Sequence, residues 1–175
     1  MTKQEHYKEL LMEAVRSMTE DEVIQEAIGI LNKIFEHELA SAVRYTQYSM
    51  MIFGHARKPI QGSLQAWADE SMLHARQVGE LITAFGGQVS LGIGDLLDRH
   101  YGHIDEMLEQ MMLYEVEAIQ LYYKLMKLVE NYDKPGSVML DEFARTMILG
   151  EEQHLSEIEK MLRKRGEAFG SLFDN

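Results

Sequence analysis

Residues 22–53 read EVIQEAIGILNKIFEHELASAVRYTQYSMMIF. On a helix turning about 100° per residue, Ile24, Ala27, Leu31, Ile34, Phe35, Ala42, Tyr45, Ser49 and Ile52 all fall within roughly 60° of Glu38. The stretch therefore predicts one long helix with an apolar face, and a carboxylic acid stands at the centre of that face. Three later segments, 63–85, 103–131 and 137–164, repeat the three- and four-residue spacing, and strand-like alternation is absent from all four.

The links between them set the architecture. The two prolines, Pro59 and Pro135, lie in GHARKPIQG (54–62) and NYDKPGS (131–137), which read as short breaks between helices. GGQVSLGIGD (86–95) is Gly-rich and opens a longer connection through LLDRHYG. Four long helices with two short links and one long one predict an all-α four-helix bundle with a long crossover between its second and third helices. A short amphipathic helix is expected at 3–17, carried by Tyr7, Leu10, Leu11, Ala14 and Met18. The domain reading is an N-terminal helical extension at 1–21, the bundle at 22–165 and a tail at 166–175.

Glu38 is not alone in facing the core. In the third bundle helix Ile104, Leu108, Met111, Ala118, Tyr122 and Val129 surround Glu115; in the fourth Leu140, Ala144, Met147, Ile148, Ile158 and Leu162 surround Glu151, with His154 one turn on. The second helix gathers Leu64, Trp67, Ala68, Ala75, Val78, Ile82 and Phe85, with Ser71 at the centre, His74 offset like His154, and Glu70 at the edge. A lone buried carboxylate costs several kcal/mol, roughly, unless it is neutralised, paired or bound to a cation. For one Glu, an arginine or tyrosine partner suffices, and Arg44 is the main candidate beside Glu38 although it sits away from the stripe. Three such carboxylates with two imidazoles point to a shared cation. The positions also repeat: Tyr45 follows Glu38 at the spacing at which Tyr122 follows Glu115, and each half ends in a histidine.

Composition narrows the cation chemistry. The chain has 175 residues and no cysteine, which excludes disulfide frameworks, zinc ribbons, iron–sulfur clusters and thiol nucleophiles. A formal charge of −12 argues against nucleic acid and anionic membranes and favours small cations. Oxygen and imidazole ligands without thiolate suit iron or manganese. MTKQEHYKEL has no apolar signal region, and no uncharged apolar run reaches about 18 residues, so a cytoplasmic location is expected.

ILNKIFEHELASAVRY (30–45), WADESMLHAR (67–76), LYEVEAIQL (113–121) and GEEQHLSEIE (150–159) together resemble the ferritin-like superfamily, and within it bacterioferritin, over about residues 24–163. The resemblance implies a carboxylate and histidine di-iron centre, with Glu38 and His74 on one metal, Glu115 and His154 on the other and Glu151 as bridge. It implies a ferroxidase taking Fe(II) and O2 or H2O2 for iron storage or detoxification, in a homo-oligomer built from dimers. Tyr45 beside Glu38 is expected to hydrogen-bond a ligand or donate an electron, and Met72 stands where relatives bind haem b. Ser71 replaces the family's second bridging Glu, which leaves a mononuclear or solvent-completed centre open, or a local helix bulge that brings Glu70 inward. The N-terminal extension has no counterpart in the usual bacterioferritin, and the tail is too short for the family's fifth helix. Two other classes stay open: a di-metal oxidase or peroxide-reducing enzyme that stores no mineral, and a degenerate, non-catalytic bundle.

Overall fold

The computed structural model describes residues 2–163, and the C-terminal tail lies outside them. Among the described residues the regular elements are five α-helices: α1 (Lys3–Thr19), α2 (Glu22–Met51), α3 (Arg57–Ala84), α4 (Ile104–Val129) and α5 (Ser137–Leu162). α3 begins six residues before its expected start. Pro59 therefore lies inside the first helical turn, where backbone N–H groups have no intrahelical acceptor and proline costs little. Pro135 stays in the α4–α5 link, which closes on Gly136 at φ 101°, a left-handed conformation suited to glycine.

α2 pairs with α3, α4 pairs with α5, and α2 packs on α4, whereas no Cα of α3 comes within 8 Å of one in α5. Asp21 anchors one end. Its side chain caps α2 by accepting from Val23 N at 3.0 Å and pairs with Lys134 Nζ at 2.7 Å in the α4–α5 link. Residues 85–103 run along the outer side of α2: Asn32 Nδ2 donates to Gln88 O (3.1 Å), Gly94 N to Glu36 O (2.8 Å) and Arg44 to Asp95 O (2.6 Å). Glycine suits position 94 in that close approach, since a Cβ there would stand 3.0 Å from Glu36 O.

The core divides into two apolar clusters. One holds Ile24–Ile34 residues of α2 with Val78, Ile82, Tyr122, Leu125, Leu140 and Ala144; the other holds Tyr45, Tyr48, Ile52, Leu64, Trp67, Leu108, Met111 and Ile158. Each buried Ile or Leu contributes about 1.5–3 kcal/mol. On every bundle helix the polar core residue predicted from sequence falls in the interval between the clusters. The fold therefore sandwiches one polar layer between two apolar ones.

The extension forms its helix but does not bury the expected face: Tyr7, Leu10 and Leu11 are exposed, and Gln25 Nε2 donating to Thr19 O (2.8 Å) ties its end to α2. The side chains of Ala14 and Met18 lie outside those described. Among the described residues no helix is long and apolar enough to cross a membrane.

Candidate metal centre

The polar layer is made by Glu38 from α2, His74 from α3, Glu115 from α4, and Glu151 and His154 from α5. All three carboxylates and His74 are at least nine-tenths buried, and His154 is half-buried. They form two trios that share Glu151: Glu38, His74 and Glu151, and Glu115, Glu151 and His154. In each, one potential ligand atom per residue lies within 4.8 Å of the others.

Glu151 divides its oxygens between the two rings. Oε1 is 3.2 Å from His74 Nδ1 and Oε2 is 3.1 Å from His154 Nδ1. Glu38 Oε1 is 3.5 Å from His74 Nδ1, and Glu115 Oε2 is 3.9 Å from His154 Nδ1. The inner nitrogens of both imidazoles thus face carboxylates from two helices. His74 Nδ1 is buried and makes no properly directed hydrogen bond to any described residue, although it stands at ion-pair distance from Glu151 and Glu38.

The tyrosines are exchanged between halves. Tyr122 on α4 donates to Glu38 on α2 at 2.7 Å, and Tyr45 on α2 donates to Glu115 on α4. Sequence proximity puts Tyr45 beside Glu38, but it lies two helical turns, about 10.5 Å, along α2 from it and cannot reach. Trp67, which periodicity places only in the core, packs on both His154 and Tyr45, with ring centroids 5.7 and 6.4 Å apart. Its place one heptad before His74 is the available signal.

Arg44 does not pair with Glu38. It is fully buried beneath the crossover, where NH2 donates to Ser41 Oγ (2.8 Å) and the guanidinium stacks 3.5 Å over Tyr114. The outer face of α2 is covered by a segment whose path periodicity does not reveal. Glu70 stands outside both trios at the outer edge of α3, which runs unbroken through this stretch; Oε1 is 3.8 Å from His74 Nε2 and Oε2 is 3.1 Å from His154 Nε2. Ser71 is buried. Met72 is half-buried and lines a hollow of about 270 Å3 with Ala42, Val43, Thr46, Gln47, Ala68 and Asp69.

The electrostatics of the metal-free layer follow from crowding. Burial pushes Glu38 above the usual carboxylate range, partly offset by His74. Burial likewise carries Glu115 to about 8 against the pull of His154. Burial also works on Glu151, but His154 and His74 outweigh it and hold this carboxyl well below the usual range. Burial opposes charge on the imidazoles, yet Glu151 and Glu38 lift His74 to about 10, and Glu115 and Glu151 lift His154 to about 11. At neutral pH both imidazoles carry a proton beside the ionised Glu151, and burial disfavours charge on Glu38 and Glu115.

This donor set fits divalent cations. Three carboxylates and two neutral imidazoles supply three negative charges, oxygen and nitrogen donors only, and a shared carboxylate suited to two neighbouring ions. Di-metal carboxylate bundles take one Glu from each of two helices and Glu-x-x-His from the other two, and the chain meets that arrangement except at Ser71.

No curated protein matches the sequence. A ferritin-like, diiron-carboxylate protein from Bacillus anthracis shares the fold with a TM-score of 0.74 at 22% identity, over 82% of this chain and 99% of its own. A bacterioferritin from Desulfovibrio desulfuricans, solved with its diiron site in different catalytic states, matches with a TM-score of 0.70 at 19% identity, over 79% of this chain and 78% of its own. The model of the ferritin-like domain matches residues 28–166, which include every member of both trios, and the chain belongs to that family.

Proposed function

We propose that this protein binds two metal ions in the polar layer and oxidises Fe(II) there, for iron storage or detoxification. The observation that carries the reading is the pair of buried trios sharing Glu151, with His74 Nδ1 left without a hydrogen-bond partner. Glu38 and His74 would hold one ion and Glu115 and His154 the other, with Glu151 between them. Two Fe(II) ions passing one electron each to O2, with two protons taken up, give two Fe(III) and H2O2.

The protein's own contribution is electrostatic. Buried carboxylates favour the more highly charged ferric state, and the acidic chain attracts Fe(II). Tyr122 and Tyr45 orient Glu38 and Glu115 by donating to them. The imidazoles must release protons as a cation enters. Iron serves best as substrate; manganese fits the same donors. The proposed setting is cytoplasmic, in a homo-oligomer built from dimers. If haem b is bound between two copies, Met72 on the α2–α3 face would be its ligand.

Adding Fe(II) in air tests this: ferric absorbance should rise faster than in a buffer blank, and the iron should stay with the protein in gel filtration. Turnover without retained iron would favour an oxidase or peroxide-reducing enzyme. A second reading has its own support, because the two protonated imidazoles and Glu151 close an ionic network without metal. An unchanged melting temperature on adding Fe(II) or Mn(II) would favour that non-catalytic bundle, since a ligand bound only by the native state stabilises it.

A further inference from the structure

We infer that Glu70 is a positioning residue that holds both imidazoles of the centre by their outer nitrogens, and is not itself a metal ligand. The inference rests on the metal-binding reading above. Glu70 Oε1 approaches His74 Nε2 (3.8 Å) while Oε2 approaches His154 Nε2 (3.1 Å). Glu151 does the same from the inner side, Oε1 to His74 Nδ1 (3.2 Å) and Oε2 to His154 Nδ1 (3.1 Å). The four side chains close a ring, His74, Glu151, His154 and Glu70, in which each carboxylate gives one oxygen to each imidazole.

An imidazole that ligates through Nδ1 carries its proton on Nε2. A carboxylate accepting that proton fixes the tautomer, stops the ring from rotating and strengthens the ligating nitrogen. Glu70, whose side chain is 42% exposed, is at hydrogen-bond distance from His154 Nε2 and at ion-pair distance from His74 Nε2, 0.7 Å further out, while the trios on the inner side contain no atom of it. It also spans the one seam the backbone leaves open, since α3 and α5 do not approach within 8 Å.

The internal repeat explains why one carboxylate serves two histidines. Ser71 and His74 on α3 correspond to Glu151 and His154 on α5, so the counterpart of Glu70 is Gly150, which offers no side chain, and a Cβ built there meets nothing within 4 Å. α5 supplies the inner carboxylate and α3 the outer one.

The test is Zn(II) titration of the full chain by calorimetry, with histidine side-chain 1H–15N spectra, on the wild type, Glu70→Gln, Glu70→Asp and the control Glu80→Gln, an exposed residue further along α3. Two Zn(II) should bind in every variant. Glu70→Gln should weaken both by about 10- to 100-fold and shift or broaden the Nε2–H signals of both histidines together, Glu70→Asp should recover part of the affinity, and Glu80→Gln should change nothing. Unchanged affinity in Glu70→Gln, a response from one histidine alone, or a fall from two Zn(II) to one, which would make Glu70 a ligand, overturns the inference. Wild-type protein that binds no Zn(II) defeats the metal-binding reading itself, and this inference with it.

Discussion

The phenol of Tyr122 donates to Glu38 at 2.7 Å across the α2–α4 interface, and Tyr45 donates to Glu115 in mirror image. A step forward along α2 thus matches a step backward along α4, which makes the two helices antiparallel and places a local two-fold axis through the polar layer. Each carboxylate is positioned by the opposite half of the chain, so neither half can assemble its side of the centre alone.

The exchange makes a prediction that sequence proximity would reverse. Tyr45→Phe should disturb the Glu115 and His154 side, and Tyr122→Phe the Glu38 and His74 side. Each removes one hydrogen bond to a buried carboxyl and should cost about 1–3 kcal/mol in urea unfolding of the metal-free protein. Histidine side-chain spectra locate the effect: Tyr45→Phe should move His154 signals more than His74 signals.

Glu151 is the one residue both trios share. Glu151→Gln should abolish tight binding at both positions, whereas His74→Ala should leave one weakened equivalent on Glu115, Glu151 and His154. In the metal-free protein the same Gln substitution leaves the buried His74 and half-buried His154 imidazolium groups without their common counter-charge, a loss of up to about 3–5 kcal/mol. Zn(II) titration and urea unfolding of chelator-treated protein check the two halves of the prediction.

The pH dependence has a definite sign. Burial and neighbouring carboxylates leave His74 and His154 titrating at about 10 and 11 when folded, against 6.5 when unfolded, and burial leaves Glu115 at about 8 against 4.5. Between these values the folded chain holds protons that the unfolded chain has lost. Stability contributed by Glu115 therefore falls from about pH 4.5 to 8, and that of the histidines from about 6.5 to 10 or 11. Glu151, held low, acts in the opposite sense, its contribution being lost only in acid. Metal must displace the same protons, so binding strengthens as pH rises. Chelator-treated protein should melt higher at pH 6 than at pH 9, and the gain in melting temperature on adding Zn(II) should be larger at pH 9.

Much of this is legible in the sequence, because helical periodicity is set by burial and burial is nearly complete: all the residues gathered on the α3 stripe, from Leu64 to Phe85, are buried. The same periodicity turns Glu38, Glu115, Glu151, His74 and His154 toward the core, and the pairing of the helices brings them to one layer. What it lacks is the partner of each side chain. It assigns Arg44 to an outer face because it cannot see the crossover laid over that face, and it puts Tyr45 with the carboxylate nearest in sequence although a helix separates residues seven apart by two turns. Glu70 is ambiguous for the same reason: the wheel shows an edge position, and only the approach of α5 gives that edge something to hold.

Ser71 offers a gain-of-function test. Ser71→Glu places a fourth carboxylate three residues before His74, as Glu151 stands before His154. The added buried acid should lower the melting temperature of the chelator-treated protein and enlarge its rise on adding Mn(II) relative to wild type, since the new charge costs most when no cation offsets it. An equal rise in both proteins would mean that position 71 does not reach the ions.

The most direct measurement is anomalous diffraction at the iron edge from crystals soaked anaerobically in Fe(II). The expected result is two iron peaks per chain on either side of Glu151, one within ligand distance of Glu38 and His74 and the other of Glu115 and His154. A polar layer without iron, or with one ion that leaves either histidine unligated, would contradict a two-metal centre built on a shared Glu151.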